Sequence, residues 1–204
     1  MYDHPSLLPK YRGPNPYAQV LFNNEKYTGV TFHFVTEDFD KGPILMQKKI
    51  KILDSDDGAS LRDKAAGLAT VMCEEFLNTT KDSVITPIFQ DEKEATYQPA
   101  LTIKDTILDL NQPSELIAKR IKGLYPWAKA YLYCNGRFLT VKKYNITENI
   151  TNAEPRSVVN KNGRNISVVT VDNKIITFID TKLVKTIFSP STRLFIKYKL
   201  GDKI

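Results

Sequence analysis

The chain has 204 residues, 42% of them hydrophobic and 25% charged, with two cysteines, two histidines and a formal net charge of +6. That balance is ordinary for a globular protein of one large or two small domains and argues against a disordered chain; the spacing of Cys73, Cys134, His4 and His33 argues against a zinc module or a disulfide framework. No stretch approaches the roughly 20 apolar residues that span a bilayer, and the start of the chain lacks the basic and apolar regions of a signal peptide, so a cytoplasmic protein with no membrane partner and no metal is expected.

In chain order, Val30 to Val35 and Ile44 to Ile52 read as strands, the second by alternation of Ile44, Met46, Lys48, Ile50 and Ile52 with Leu45, Gln47, Lys49 and Lys51. The turn Asp38-Phe39-Asp40-Lys41-Gly42 between them places Asp40 at the tip of a hairpin-like connection. Ser60, with Asp63 three residues on, opens a helix whose apolar face runs Leu61, Ala65, Leu68, Met72 and Phe76. Residues 78–97 lack a helical period and read as the tail of a first domain, 1–87, and a linker, 88–97. A second domain, 98–204, opens with a short helix introduced by Pro113 and ending at about Leu124 before Tyr125-Pro126. It continues as strands at Ala128 to Cys134, Arg137 to Asn145, Ser157 to Asn160, Asn165 to Val171 and Lys174 to Asp180. Turns at Asn135-Gly136, Asn162-Gly163 and Asp172-Asn173 separate them, which suggests a small antiparallel barrel.

Charge divides along the same line. Residues 1–97 carry 11 Lys/Arg against 15 Asp/Glu, whereas residues 98–204 carry 18 against 8, so the second half is the one suited to a polyanion. Candidate phosphate contacts there are Lys119, Arg120, Lys122, Lys129, Arg137, Lys142 and Lys143, while Trp127 reads as a core anchor after the helix.

Chemistry concentrates at His4-Pro5-Ser6-Leu7-Leu8-Pro9-Lys10-Tyr11-Arg12-Gly13, followed thirty-six residues after His4 by Asp40. An imidazole changes charge near neutral pH, and a carboxylate beside it fixes its tautomer and raises its basicity. His33 lies mid-strand without such context and reads as structural or surface. Together with Tyr27-Thr28-Gly29-Val30-Thr31 and Asp40-Lys41-Gly42, the motif resembles the formyltransferases that carry a formyl group from 10-formyltetrahydrofolate to amines. The resemblance extends through Ala95-Thr96-Tyr97-Gln98-Pro99-Ala100-Leu101-Thr102, Tyr125-Pro126-Trp127 and Tyr198-Lys199-Leu200-Gly201-Asp202-Lys203 to the methionyl-tRNA formyltransferases.

The resemblance implies an α/β plus all-β chain: the C-terminal part of a Rossmann-like formyltransferase domain, then a small OB-like antiparallel β-barrel that helps hold tRNA. It implies His4 and Asp40 as catalytic, with His4 handling protons and Asp40 orienting it. Ser6, Leu7, Leu8 and Pro9 would contact folate, Arg12 would meet an anion of the RNA, and the second half would bind methionyl-initiator-tRNA for translation initiation. Three departures accompany it, one being Pro14-Asn15-Pro16 after Arg12-Gly13, where the family has a pair of small residues. Tyr2 stands where the family has an Asn two residues before the His, and the family's upstream segment is absent, which raises a separate polypeptide as its source. The alternatives are an inactive tRNA-binding remnant and an amino-sugar-nucleotide formyltransferase.

Overall fold

The computed structural model describes residues 1–82, 84–134, 136–149 and 152–184. Two compact units divide the chain, Met1–Leu101 and Thr102–Ile204. The first holds β1 (Tyr2–His4), α1 (Pro16–Phe22), β2 (Tyr27–His33), β3 (Ile44–Lys51) and α2 (Gly58–Asp82). Its three strands form an antiparallel sheet in the order β1-β2-β3.

The strand β2 is central and buried at every position but its first; it starts three residues before and ends two residues before the expected Val30 to Val35. Val30 and Phe32 meet Ala65 and Met72 of α2, and Phe76 packs edge-on against Phe32 with ring centroids 6.2 Å apart. A second cluster joins Val20 and Leu21 of α1 to Tyr11, Ile52 and Leu61. The helix α2 starts earlier than the Ser60 pattern suggests. Asp57 Oδ1 accepts the Ser60 N–H at 2.8 Å and Ser60 Oγ accepts the Asp57 N–H at 3.0 Å, so Asp57 is the cap and Ser60 occupies the first turn.

Residues 88–97, read above as a linker, run along this unit. Ile88 exchanges both main-chain hydrogen bonds with Ile44 at 2.7 and 2.8 Å, and Thr96 bonds to the main chain of Pro9 at 3.2 Å and of Arg12 at 2.9 Å. Elements too short to show a period in the sequence, β1 and α1, complete the unit. Pro16 supplies the fixed φ of a first helical residue, and Asn15 precedes it at φ 60°.

Among its described residues the second unit holds α3 (Ile103–Thr106), α4 (Ser114–Leu124) and seven strands: β4 (Ala130–Cys134), β5 (Arg137–Val141), β6 (Lys143–Glu148), β7 (Val158–Asn162), β8 (Asn165–Val169), β9 (Lys174–Ile179) and β10 (Lys182–Leu183). They form two antiparallel sheets, β10-β5-β4 and β6-β9-β8-β7. The expected strand from Arg137 to Asn145 is broken at Lys142: β5 pairs with β4, and β6 passes to the other sheet to pair with β9. Leu132, Val141, Ile166, Val168, Ile176 and Phe178 are buried, as are Ile117, Ile121 and Leu124 of α4. The N-terminus of α4 is capped from a distance, Asp172 accepting the Ser114 N–H at 3.0 Å and its hydroxyl at 2.7 Å. Asn135 of the expected Asn135-Gly136 turn, and the closing stretch 198–203, lie outside the described residues.

Backbone approach in the first unit leaves no room for side chains at Gly13, Gly29 and Gly42. A Cβ on Gly29 would strike the Lys48 carbonyl oxygen and Leu7, and one on Gly42 the Phe34 carbonyl oxygen, whereas Gly67 on α2 faces open space. Gly29→Ala is therefore expected to cost about 1–3 kcal/mol of stability, and Gly67→Ala to add up to about 1 kcal/mol through helix propensity. Urea unfolding of the two variants beside the wild type checks both signs.

Candidate functional site

The pairing of β1 with β2 sets Tyr2 opposite His33 and His4 opposite Thr31, so both histidines stand at one end of the sheet. The ladder between β2 and β3 shifts register between Phe32 and His33, a bulge that re-aims the last side chain of β2. The connection from His33 to Ile44 folds back over this end, and Asp40 enters between the histidines. Its Oδ1 lies 3.5 Å from His4 Nδ1 and 3.9 Å from His33 Nε2. Its Oδ2 accepts the Gly13 N–H at 2.7 Å. Both imidazoles are buried, His4 being 4% exposed and His33 3%.

The tautomers follow from the carbonyls around the rings. Tyr11 O lies 2.9 Å from His4 Nε2, and Phe34 O lies 2.8 Å from His33 Nδ1. A carbonyl only accepts, so these two nitrogens carry the protons of the neutral rings. The other nitrogen of each, His4 Nδ1 and His33 Nε2, then faces Asp40 with its lone pair. His33 Nε2 is buried with no hydrogen-bond partner. Burial pushes the His4 pKa down from 6.5; the Tyr11 carbonyl and the charges of Asp40 and Asp3 oppose that shift, and His33 reinforces it.

Tyr11 presents its carbonyl from a left-handed backbone, φ 62°. Its N–H donates to Thr96 Oγ1 at 2.8 Å, and its phenol donates to Glu25 at 2.6 Å while accepting from Asn23 at 3.1 Å. Burial and the Glu25 bond raise that phenol to about 12, so it stays protonated.

The remaining expected site residues fall in different surroundings. Ser6 and Leu8 are buried, the Ser6 hydroxyl donating to Lys10 O at 2.7 Å, while Leu7 and Pro9 are half-buried. Thr31 and Gln47 hold the loop: Thr31 Oγ1 donates to Ser6 O at 2.7 Å, and Gln47 Nε2 donates to Leu8 O at 2.9 Å. Arg12, expected to meet an RNA anion, is turned inward instead. Its guanidinium is buried and bonds to Gln90 and to both carboxylate oxygens of Glu92. In the second unit Lys119 is buried, Arg120 and Lys122 are half-buried, and Lys129, Arg137, Lys142 and Lys143 are exposed. Tyr2 is held in β1 and its ring meets His33 edge-on, centroids 6.0 Å apart. Beside the Asp40 loop an open cleft of about 370 Å³ is lined in part by Asp38, Phe39, Lys41, Thr96 and Tyr97. Among the described residues no cluster of His, Cys, Asp and Glu is arranged to hold a metal ion, and no helix is long and apolar enough to cross a membrane.

Two family models cover most of the chain: "Formyl transferase" matches residues 2–75, and "Formyl transferase, C-terminal domain" matches residues 100–186. The chain belongs to the formyl transferase family. A methionyl-tRNA formyltransferase of Caldanaerobacter subterraneus is 36% identical over 156 residues, 76% of this chain and 50% of that protein. The chain thus spans about half the length of the curated relatives it matches. Among solved structures, an N-formyltransferase of Helicobacter canadensis bound to folinic acid and dTDP-3-aminofucose superposes with a TM-score of 0.70 at 19% identity, over 86% of this chain and 64% of that one. A methionyl-tRNA formyltransferase of Clostridium thermocellum superposes with a TM-score of 0.62 at 18% identity, over 90% and 68%. These likenesses establish formyl transferase folds for both units.

Sequence reasoning missed His33, Tyr11 and Thr96 in this site. The usable signal for His33 was the two-residue spacing from Thr31, which opposes His4 across β1 and β2. No comparable signal marks Thr96, whose contact with Tyr11 spans 85 residues.

A depressed histidine pKa has a definite sign. Below about 6.5 the unfolded chain takes up a proton that the buried imidazole resists, so His4 makes stability fall as pH drops through 6.5 toward the lower folded value. His4→Gln is expected to flatten that slope. Denaturant unfolding at pH 7.5 and pH 5.5, wild type against variant, measures it.

Proposed function

We propose that the protein transfers a formyl group from 10-formyltetrahydrofolate to the amino group of methionyl-initiator-tRNA, the step that prepares this tRNA for translation initiation. The observation that carries the reading is the His4–Asp40 pair, with the imidazole kept neutral and its free nitrogen turned to the carboxylate. An attacking amine must lose a proton. His4 Nδ1 is the base for it, because Nε2–H is committed to the Tyr11 carbonyl. Asp40 then stabilises the imidazolium from 3.5 Å, and the same proton is available for the departing nitrogen.

The donor supplies the carbonyl carbon at which one N–C bond is exchanged for another. The residues present fit a flat, partly apolar donor: Leu7 and Pro9 offer half-buried surface, and the buried Ser6 and Leu8 anchor the loop beneath them. The exposed Arg137, Lys142 and Lys143 favour a polyanionic acceptor. The name and identity of the Caldanaerobacter relative support methionyl-tRNA in that role. An amino-sugar-nucleotide acceptor is the second reading, favoured by the likeness to the Helicobacter enzyme, yet a small acceptor gives the basic second unit no task.

Single-turnover transfer of labelled formyl to methionyl-initiator-tRNA, with protein in excess, tests the reading. Product above the uncatalysed rate is expected, reduced about 100-fold or more by His4→Ala and by Asp40→Ala. No product from folded protein would sink it: retention of tRNA would then indicate an RNA-binding role, and formylation of a dTDP-amino sugar the second reading. Replacing Arg137, Lys142 and Lys143 singly with Ala is expected to lower the salt slope of tRNA binding by about one for each residue that meets a phosphate. Filter binding across a salt series measures that slope.

A further inference from the structure

The amide of Gln90 is divided between two loops that frame the candidate site. Nε2 donates to the main-chain carbonyls of Asp40 at 2.8 Å and Gly42 at 2.7 Å. Oε1 accepts from Arg12 Nε at 3.2 Å and Nη2 at 2.8 Å. Exchanging oxygen and nitrogen would set an oxygen against two carbonyls and an NH2 against a guanidinium, so the orientation is fixed by its partners.

Gln90 thereby bridges the same two loops that the Asp40 carboxylate bridges through the Gly13 N–H. Its own segment does not depend on this amide. The Ile88–Ile44 pair anchors that segment on one side and the Thr96 bonds to Pro9 and Arg12 on the other. The Asp40 loop, by contrast, is exposed from Phe34 to Phe39, and Asp40 itself sits at φ 58°. Such a backbone persists only where its surroundings hold it.

We infer that Gln90 is a positioning residue for Asp40: its two N–H bonds fix the loop that carries the carboxylate to His4, and its oxygen ties that loop to Arg12. The assignment rests on the reading of His4 and Asp40 as the working pair.

The Gly13 amide reports the carboxylate directly, because its N–H donates to Asp40 Oδ2. In Gln90→Leu its hydrogen exchange, followed by NMR, is expected to accelerate about tenfold or more, as loss of a hydrogen bond of this kind implies. The amides of Val30 and Phe32 in β2 should stay protected to the wild-type extent. Single-turnover formyl transfer should fall by a similar factor with unchanged affinity for the donor. Gln90→Glu keeps an acceptor for Arg12 and loses both donors, so it should accelerate Gly13 exchange as well. Unchanged Gly13 exchange in both variants would overturn the inference, as would acceleration in Gln90→Leu alone, which would place the effect on Arg12. The amide readout needs no activity, so absence of formyl transfer by the wild type would count against the proposed reaction and leave the inference to be decided by Gly13.

Discussion

Asp40 reaches His4, His33 and the Gly13 amide together only because its backbone lies at φ 58°, a region that costs a non-glycine residue about 1–3 kcal/mol. A hydrogen bond to a carboxylate contributes about 1.5–3 kcal/mol, so the Gly13 bond alone is of the size needed to offset the strain. Other parts of the first unit serve the same geometry. Gly13 lies at φ 98°, with the Gln98 carbonyl 2.5 Å and the Tyr97 ring 2.9 Å from where a Cβ would sit. Gly42 clears the Phe34 carbonyl oxygen, and that same oxygen accepts the proton of His33 Nδ1. Segments far apart in sequence are thus made interdependent through one carboxylate.

The parts of the fold legible in the sequence are those long enough to show a period. The strand β3 alternates over eight residues, and α2 carries its apolar face from Leu61 to Phe76, although it runs on to Asp82 through residues that show no helical period. By contrast β1 has three residues, α3 four and α1 seven, and each exists because a neighbour completes it. His4 and Asp40 were legible because their flanking motifs are distinctive. His33 left only its two-residue spacing from Thr31 as a signal, since a bulge turns it and a bulge leaves no mark in residue type. Residues 88–97 read as a linker for a related reason: their bonds run to Ile44, Pro9 and Arg12, and polar side chains that bond across such separations look like ordinary surface.

Formal charge and usable charge differ in this chain. Arg12 counts as a cation in the sequence, but Glu92 and Gln90 occupy its guanidinium. Lys119 lies in the buried part of α4, and Arg120 stands 3.8 Å from Asp105. Of the cations expected to meet phosphate, the ones best placed to release counterions from a polyanion are therefore the exposed Lys129, Arg137, Lys142 and Lys143. A surface of that kind supplies affinity and register without reading a base sequence. Under the proposed reading, selection among tRNAs would arise from the shape of the acceptor and from the group presented at the amine.

The protons around Asp40 show which chemistry the site is disposed toward. Each histidine directs one ring nitrogen to a main-chain carbonyl, so the lone pair of the other faces Asp40 Oδ1, at 3.5 Å from His4 and 3.9 Å from His33. Three acceptors with no donor among them repel one another mildly, and that repulsion is relieved by a group that brings protons. An amine does so. An imidazolium formed on His4 would gain the Asp40 charge at 3.5 Å, an interaction the neutral ring lacks, so proton uptake is favoured at the moment an amine gives its proton up. Burial works in the opposite direction, holding His4 neutral until then. The two effects together suit the role proposed for His4, a base that is neutral until an amine gives up its proton and is stabilised afterwards.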